Sequence, residues 1–342
     1  MNAFLSRLGP GLLYAGAAVG VSHLVQSTRA GASYGMVMIA VVLIANGLKY
    51  PFFKAGPIYA AQTGKSLLEA FHETGHFAMA LFYVVTIGTM FVVQAAVTLI
   101  TASVISSIFG LSFPLWQISG FILLVCFLIL LIGRYQWLNK IMKMVIILLT
   151  ITTVITLIAA LSNPTKQIAE TISFTFSNKL DVLFLIALIG WMPAPLDISL
   201  WHSEWTLADS KTLDVKKSLF DFKVGYWGTT FLAIAFVALG SIMLRGSGEE
   251  LSASGVVFSG QVIGMYTKTL GDWSFLFVAI AAFTTMFSTT LTVLDAFPRV
   301  LEKSVRLSFS NDKKEFKNLY TWILLFVISG ALVAVSYTHL RA

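Results

Sequence analysis

Long apolar stretches, each about the length of one membrane crossing, follow one another along the chain with short polar breaks between them. A helical crossing needs about 20 mainly apolar residues. The pattern predicts nine such spans, near residues 10–31, 34–53, 77–104, 115–133, 141–161, 181–201, 225–244, 274–297 and 319–337. Length identifies them rather than periodicity, because a helix facing lipid is apolar nearly all round. Ten-residue alternating segments, the mark of a membrane barrel, are absent from the sequence, and open strands would leave backbone groups unsatisfied in lipid. The predicted fold is an all-α membrane protein.

Composition agrees. Of 342 residues, 57% are hydrophobic and 11% charged, whereas soluble chains carry roughly 25% charged residues. The net charge of +7 reports topology. With the N-terminus in the cytoplasm, seventeen of the 23 lysines and arginines fall inside, Lys49, Lys54 and Lys65 among them, as the positive-inside rule requires. A nucleic-acid role is excluded on that reading, and contact with anionic lipid head groups is ordinary for such loops. A lone cysteine, Cys126, excludes internal disulfides and multi-cysteine zinc sites. No cofactor, enzymatic activity or obligatory protein partner is expected; the expected partners are the bilayer and a transported substrate.

The first apolar run has the basic and small residues of a signal peptide, but eight spans follow and the charge count works with it retained. The ninth span runs straight into residues 336–342. These read as a truncated or non-native tail on a single transporter domain over 1–335, with a first repeat of about 1–161 and an incomplete second of about 180–335. A natural nine-span protein is the alternative.

Proline placement is the most informative local signal. Six of the eight prolines, Pro51, Pro57 and Pro298 among them, are expected at span ends or in loops. Pro193 and Pro195 instead interrupt the sixth span beside Gly190. They remove two backbone donors and free the carbonyls one turn earlier, which survives in lipid only against protein or a polar cavity. The first span has a weaker break at Ala15–His23, rich in Gly and Ala and ending in Ser22 and His23. Small residues there also suit close helix packing. Interrupted segments at corresponding positions, first and sixth, point to a binding site halfway through the membrane.

Gly9-Pro10-Gly11, Ala30-Gly31-Ala32-Ser33-Tyr34-Gly35, Thr63-Gly64-Lys65-Ser66-Leu67-Leu68-Glu69-Ala70 and Met192-Pro193 followed by His202-Ser203 resemble the Nramp divalent-metal transporters. The resemblance implies a leucine-transporter-type inverted-repeat bundle with broken helices 1 and 6, alternating access and a transition-metal substrate. Members normally have eleven or twelve spans. Where the family places Asp-Pro-Gly-Asn, this chain reads Gly20-Val21-Ser22-His23, so the Asp and Asn ligands are replaced by Gly20 and His23. Where it places Met-Pro-His-Asn, this chain reads Met192-Pro193-Ala194-Pro195. The thioether stays and the histidine is lost. The family's proton route uses charged groups in the third and ninth spans, and those spans here carry none.

The expected metal ligands are therefore Met192, whose sulfur favours softer transition metals, and His23, a neutral imidazole. Packing for Met192 and a carbonyl hydrogen bond for His23 are the structural alternatives. Backbone or polar contributions are expected from Gly20, Ser22, Ile189 and Gly190. Asp197, in the first turn after Pro195, supplies charge or proton exchange, or else complements the helix dipole. Thr284, Ser288, Thr292 and Asp295 share one face of the eighth span. Asp295 is expected to pair with Arg299, while Ser288 and Thr292 form helix–helix glue or a sodium-like oxygen site against the first-span break. That second possibility carries the competing function, a sodium- or proton-coupled carrier of a small organic solute. A receptor without transport lacks the large soluble domain it would need. A hydrolase using Ser22 and His23 fails because adjacent helical residues point about 100° apart.

Overall fold

The computed structural model of the chain describes residues 8–162, 173–209, 214–247, 252, 254–309 and 318–339. For 133–143, 269–270 and 338–339 it describes backbone alone. Every regular element among the described residues is a helix. The chain opens with α1 (Pro10–Ala18), a π-helical stretch (Val21–Ser27) and α2 (Thr28–Tyr34). Then come α3 (Met38–Thr63), the short α4 (Leu67–Thr74), α5 (His76–Phe109) and α6 (Leu115–Ser162). The sixth span is α7 (Lys179–Trp191) plus α8 (Ile198–Ala208). Four α-helices complete the order, α9 (Val215–Leu239), α10 (Gly255–Leu270), α11 (Phe275–Phe309) and α12 (Leu319–His339), with a π-helical turn (Gly240–Leu244) after α9 and a 3-10 turn (Asp272–Ser274) before α11.

Seven stretches among the described residues are long and apolar enough to cross a membrane unaided. The first and sixth predicted spans are the two that fail this test, because each is split in two. Three expectations change. Pro51 and Pro57 lie inside α3, and Pro298 inside α11; hydroxyls of Ser199 and Ser218 tie neighbouring helices to this stretch of α3 through the carbonyls of Phe52 and Pro57 at 2.8 and 3.1 Å, while the carbonyls the two α3 prolines free are those of Gly47 and Phe53. The fourth and fifth spans are separated by no irregular turn, since α6 is helical over 48 residues, about 72 Å at the usual rise. Finally, α10 was not anticipated; it is shorter than a span and packs against α5 and α11.

The half-helix α1 sits at the centre, in contact with α6, α8, α9 and α11. Its entry explains the Gly9-Pro10-Gly11 motif. Proline opens the helix where its missing N–H costs nothing, and glycine at the cap offers no side chain to bond the free amides. A neighbouring helix does so instead. Buried Asp221 of α9 accepts the N–H of Gly9 at 3.0 Å and of Gly11 at 2.6 Å. A Cβ on Gly11 would lie 2.2 Å from the Asp221 carbonyl oxygen, and one on Gly225 the same distance from that of Gly11, so the crossing requires hydrogen at both positions.

The short α4 is a capped loop helix. Glu69 accepts the Ser66 N–H at 2.7 Å, closing a capping box. It also pairs with Lys303 of α11 at 3.2 Å, while Leu67 N–H donates to Ser203 of α8 at 3.1 Å. The segment thus fastens the middle of α8 to the C-terminal part of α11.

Candidate cation site at two broken spans

The first break falls at Val19–Gly20. The helix ends at Ala18, and the chain resumes as a wide helical turn whose first amides, His23 and Leu24, donate to the Gly20 carbonyl at 3.2 and 2.9 Å. The carbonyls around the break take side-chain donors. Ser22 Oγ donates to Ala18 O or faces His23 Nδ1 at 2.7 Å. Thr289 of α11 brings its Oγ1 within 3.0 Å of Gly16 O and 3.1 Å of Val19 O, and within 3.1 Å of its own Thr285 O. One hydroxyl proton serves three acceptors, so spare oxygen lone pairs converge there. Gly20 is required by that approach, because its Cβ would meet Thr289 Oγ1 at 2.6 Å and Cγ2 at 2.8 Å.

The second break is the proline pair. Met192 N–H still bonds Leu188 O at 3.0 Å, after which the backbone is extended and α8 restarts with Asp197 as its cap residue. Asp197 is thus one step outside the first turn, and its carboxylate makes no capping bond. Pro193 has no amide for Ile189 O. That oxygen and Gly190 O are taken by the Lys49 ammonium of α3, at 2.7 and 2.8 Å. Lys49, expected near the cytoplasmic end of its span, is the twelfth residue of a 26-residue helix that continues beyond that span.

Met192 is fully buried, and its sulfur accepts from Ser27 Oγ at 3.7 Å. Ser27 also reaches Ser22 O at 3.3 Å, so one hydroxyl joins the two breaks. His23 is buried too but turns elsewhere: Nε2 faces Thr229 O of α9 at 3.0 Å. A neutral ring donating there accepts at Nδ1 from Ser22. In this arrangement both ring nitrogens are engaged, and His23 and Met192 do not share a partner. Ser288 and Thr292 donate to carbonyls of their own helix, Thr285 O and Ser288 O, each at 2.7 Å. The hydroxyl that reaches the first break is Thr289, one position along. Asp295 meets Arg299 through three contacts of 2.9–3.0 Å and accepts Tyr320 Oη at 2.8 Å, which makes it an anchor of α11 to α12.

Between the breaks lies a cavity of about 20 Å³ whose lining includes Ala18, Ser22, Trp191, Pro195 and Thr289. That is room for about one water or one ion. A larger space of about 390 Å³ lies between α11 and α12, beside Asp295, Arg299 and Tyr320; it is away from both breaks. Among the described residues no cluster of three or more His, Cys, Asp or Glu forms a metal cage. The lining of the small cavity draws on both breaks but includes none of Met192, His23 and Asp197. Sequence reasoning located both breaks and placed Met192 and His23 beside them. It missed Lys49, Ser27, Thr289 and Asp221, whose roles depend on which neighbour each faces.

A helical bundle with two central spans broken halfway, apposed across an ion-sized cavity, is the construction of a secondary membrane transporter. The sequence matches the family described as natural resistance-associated macrophage protein-like (Nramp) over residues 11–340. The chain belongs to the Nramp family; it is a multi-pass membrane transporter of the metal-ion class, not an enzyme. A relative from Pasteurella multocida (strain Pm70), itself uncharacterized, is 36% identical over 337 residues, which are 97% of this chain and 77% of that protein. The fold is similar to that of the Eremococcus coleocola manganese transporter in complex with an aromatic bis-isothiourea substituted compound. That likeness has a TM-score of 0.73 at 13% identity, over 99% of this chain and 72% of the other. A mutant of the same transporter gives 0.73 at 14% identity, over 98% and 72%.

Proposed function

We propose that this protein moves a divalent transition-metal cation across the membrane by alternating access, with its N-terminus in the cytoplasm. The observation that carries the reading is Met192. A methionine at the point where the sixth span unwinds is buried there, its sulfur joined through Ser27 to the broken first span. Thioether sulfur discriminates for softer metals over calcium and magnesium. The cavity of about 20 Å³ suits an ion and is too small for an organic solute. The matched solved structures include a manganese transporter, which accords with a metal substrate.

Coordination on this reading uses Met192 sulfur, carbonyls at the two breaks and the His23 imidazole once Ser22 turns to Ala18 O. Asp197 supplies the negative charge a dication needs in a low-dielectric site. Proteoliposomes loaded with a metal-quenched dye test it. Met192→Leu conserves volume, so the fold should survive while manganese or cadmium uptake drops about tenfold or more relative to calcium, roughly the worth of one good ligand. Unchanged selectivity in a correctly folded Met192→Leu protein rejects the assignment.

The second reading is a sodium- or proton-coupled carrier of an organic solute, and one feature favours it: the carbonyl oxygens of Gly16, Val19 and Thr285 gather around the Thr289 hydroxyl, an oxygen-rich corner beside the first break. Uptake of metal that is indifferent to sodium, with no solute counterpart, decides for the metal carrier.

A further inference from the structure

Lys49 is the most unusual polar residue of the spans. It is the twelfth residue of the 26-residue α3, its contacts lie on the exposed side of the bundle, and a lysine facing hydrocarbon is costly unless paired. No carboxylate answers it in the contacts described; its ammonium turns to two backbone oxygens, Ile189 O at 2.7 Å and Gly190 O at 2.8 Å. Those oxygens are special for two reasons. Pro193 cannot donate to Ile189 O, and the helix stops at Trp191, so neither has its normal partner in the next turn. They also mark the C-terminal end of α7, where the helix dipole is negative. Freed carbonyls at the C-terminal end of a half-helix are the ligands with which transporters hold small monovalent cations. Here a covalently attached ammonium stands in that position.

We infer that Lys49 is a tethered cation: its ammonium fills a monovalent-cation position at the end of α7, so the sixth-span break is electrostatically complete without sodium or potassium there. Lysine then acts as a positioning residue, holding the break in register for Met192 three and two residues beyond the bonded carbonyls. A capping role that needs only a hydrogen-bond donor is the competing account, and glutamine separates the two, because it donates without carrying charge.

The test is thermal unfolding of the purified full chain in detergent, with no transported metal, so its outcome is independent of the Met192 reading. Lys49→Ala removes three methylenes and the ammonium, the outline of propylammonium. At equal ionic strength this variant should melt lower in choline chloride and recover most of the loss in propylammonium chloride, with partial recovery in potassium or sodium. The unaltered protein and Lys49→Arg should respond no more to propylammonium than to choline. Lys49→Gln should melt with Lys49→Ala. If Lys49→Ala does not fold, Lys49→Gln against Lys49→Arg carries the comparison alone. Glutamine melting like the unaltered protein, or an alanine variant that no small cation restores, overturns the inference.

Discussion

Thr289 offers a sharp test of how the first break is held. Its hydroxyl is buried against α1 and is the side-chain donor recorded for Gly16 O and Val19 O. Thr289→Val keeps the branched shape, so no cavity opens, and only the O–H is lost. An unsatisfied carbonyl in a dry interior costs about 1–3 kcal/mol, although hydrogen bonds between membrane helices average nearer 0.6 kcal/mol because alternatives exist. Carbonyls beside a broken turn have fewer alternatives, which places the expected loss at about 1–2 kcal/mol, or about 5–30-fold in an opening equilibrium. One turn earlier, Thr285 is equally buried but its hydroxyl has no hydrogen-bond partner among the described residues. Thr285→Val removes a buried unsatisfied group and should be neutral or stabilising. Amide hydrogen exchange over residues 19–24 reads the difference directly: faster by that factor in Thr289→Val, unchanged in Thr285→Val. Equal exchange in the two variants, or greater damage from Thr285→Val, would refute the reasoning.

Two further perturbations follow from single contacts. Asp221→Asn leaves one acceptor oxygen for the amides of Gly9 and Gly11 and removes the charge that complements the α1 dipole; a loss of about 1–2 kcal/mol is expected, seen as a lower melting temperature with faster proteolysis at the N-terminus, and an unaltered melt would count against capping from α9. Glu69 lies outside the spans. Partial burial pushes its carboxyl up, but the Ser66 N–H and the Lys303 ammonium outweigh this and hold it below its ordinary value of 4.5. A depressed folded-state value means the contribution is complete above the ordinary range and is lost as pH falls through the lowered one. The pair is partly exposed and worth no more than about 1 kcal/mol, so Glu69→Gln should lower the melt slightly near neutral pH and flatten its fall in acid; an identical acid profile would remove Glu69 from the account.

What the sequence settled by itself is whatever depends on the chain's own composition and local chemistry. Apolar length dictates spans because lipid offers the backbone no partner, and two prolines two residues apart cannot continue a helix in any surroundings. The capping box at Ser66–Glu69 and the Asp295–Arg299 pair are relations over three and four residues, fixed once a helix forms. Met192 was legible for the same reason, by its place at the break. Tertiary structure decided which distant group answers each freed oxygen. Lys49 caps a helix some 140 residues away, Asp221 caps one more than 200 away, and Thr289, not Ser288 or Thr292, meets the first break because rotation about the α11 axis selects one hydroxyl of the row. His23 shows the same limit: a membrane histidine reads equally as ligand or tie until a neighbour such as Thr229 takes its nitrogen. Those choices belong to helix packing, where a single residue's shift turns a side chain by about 100°.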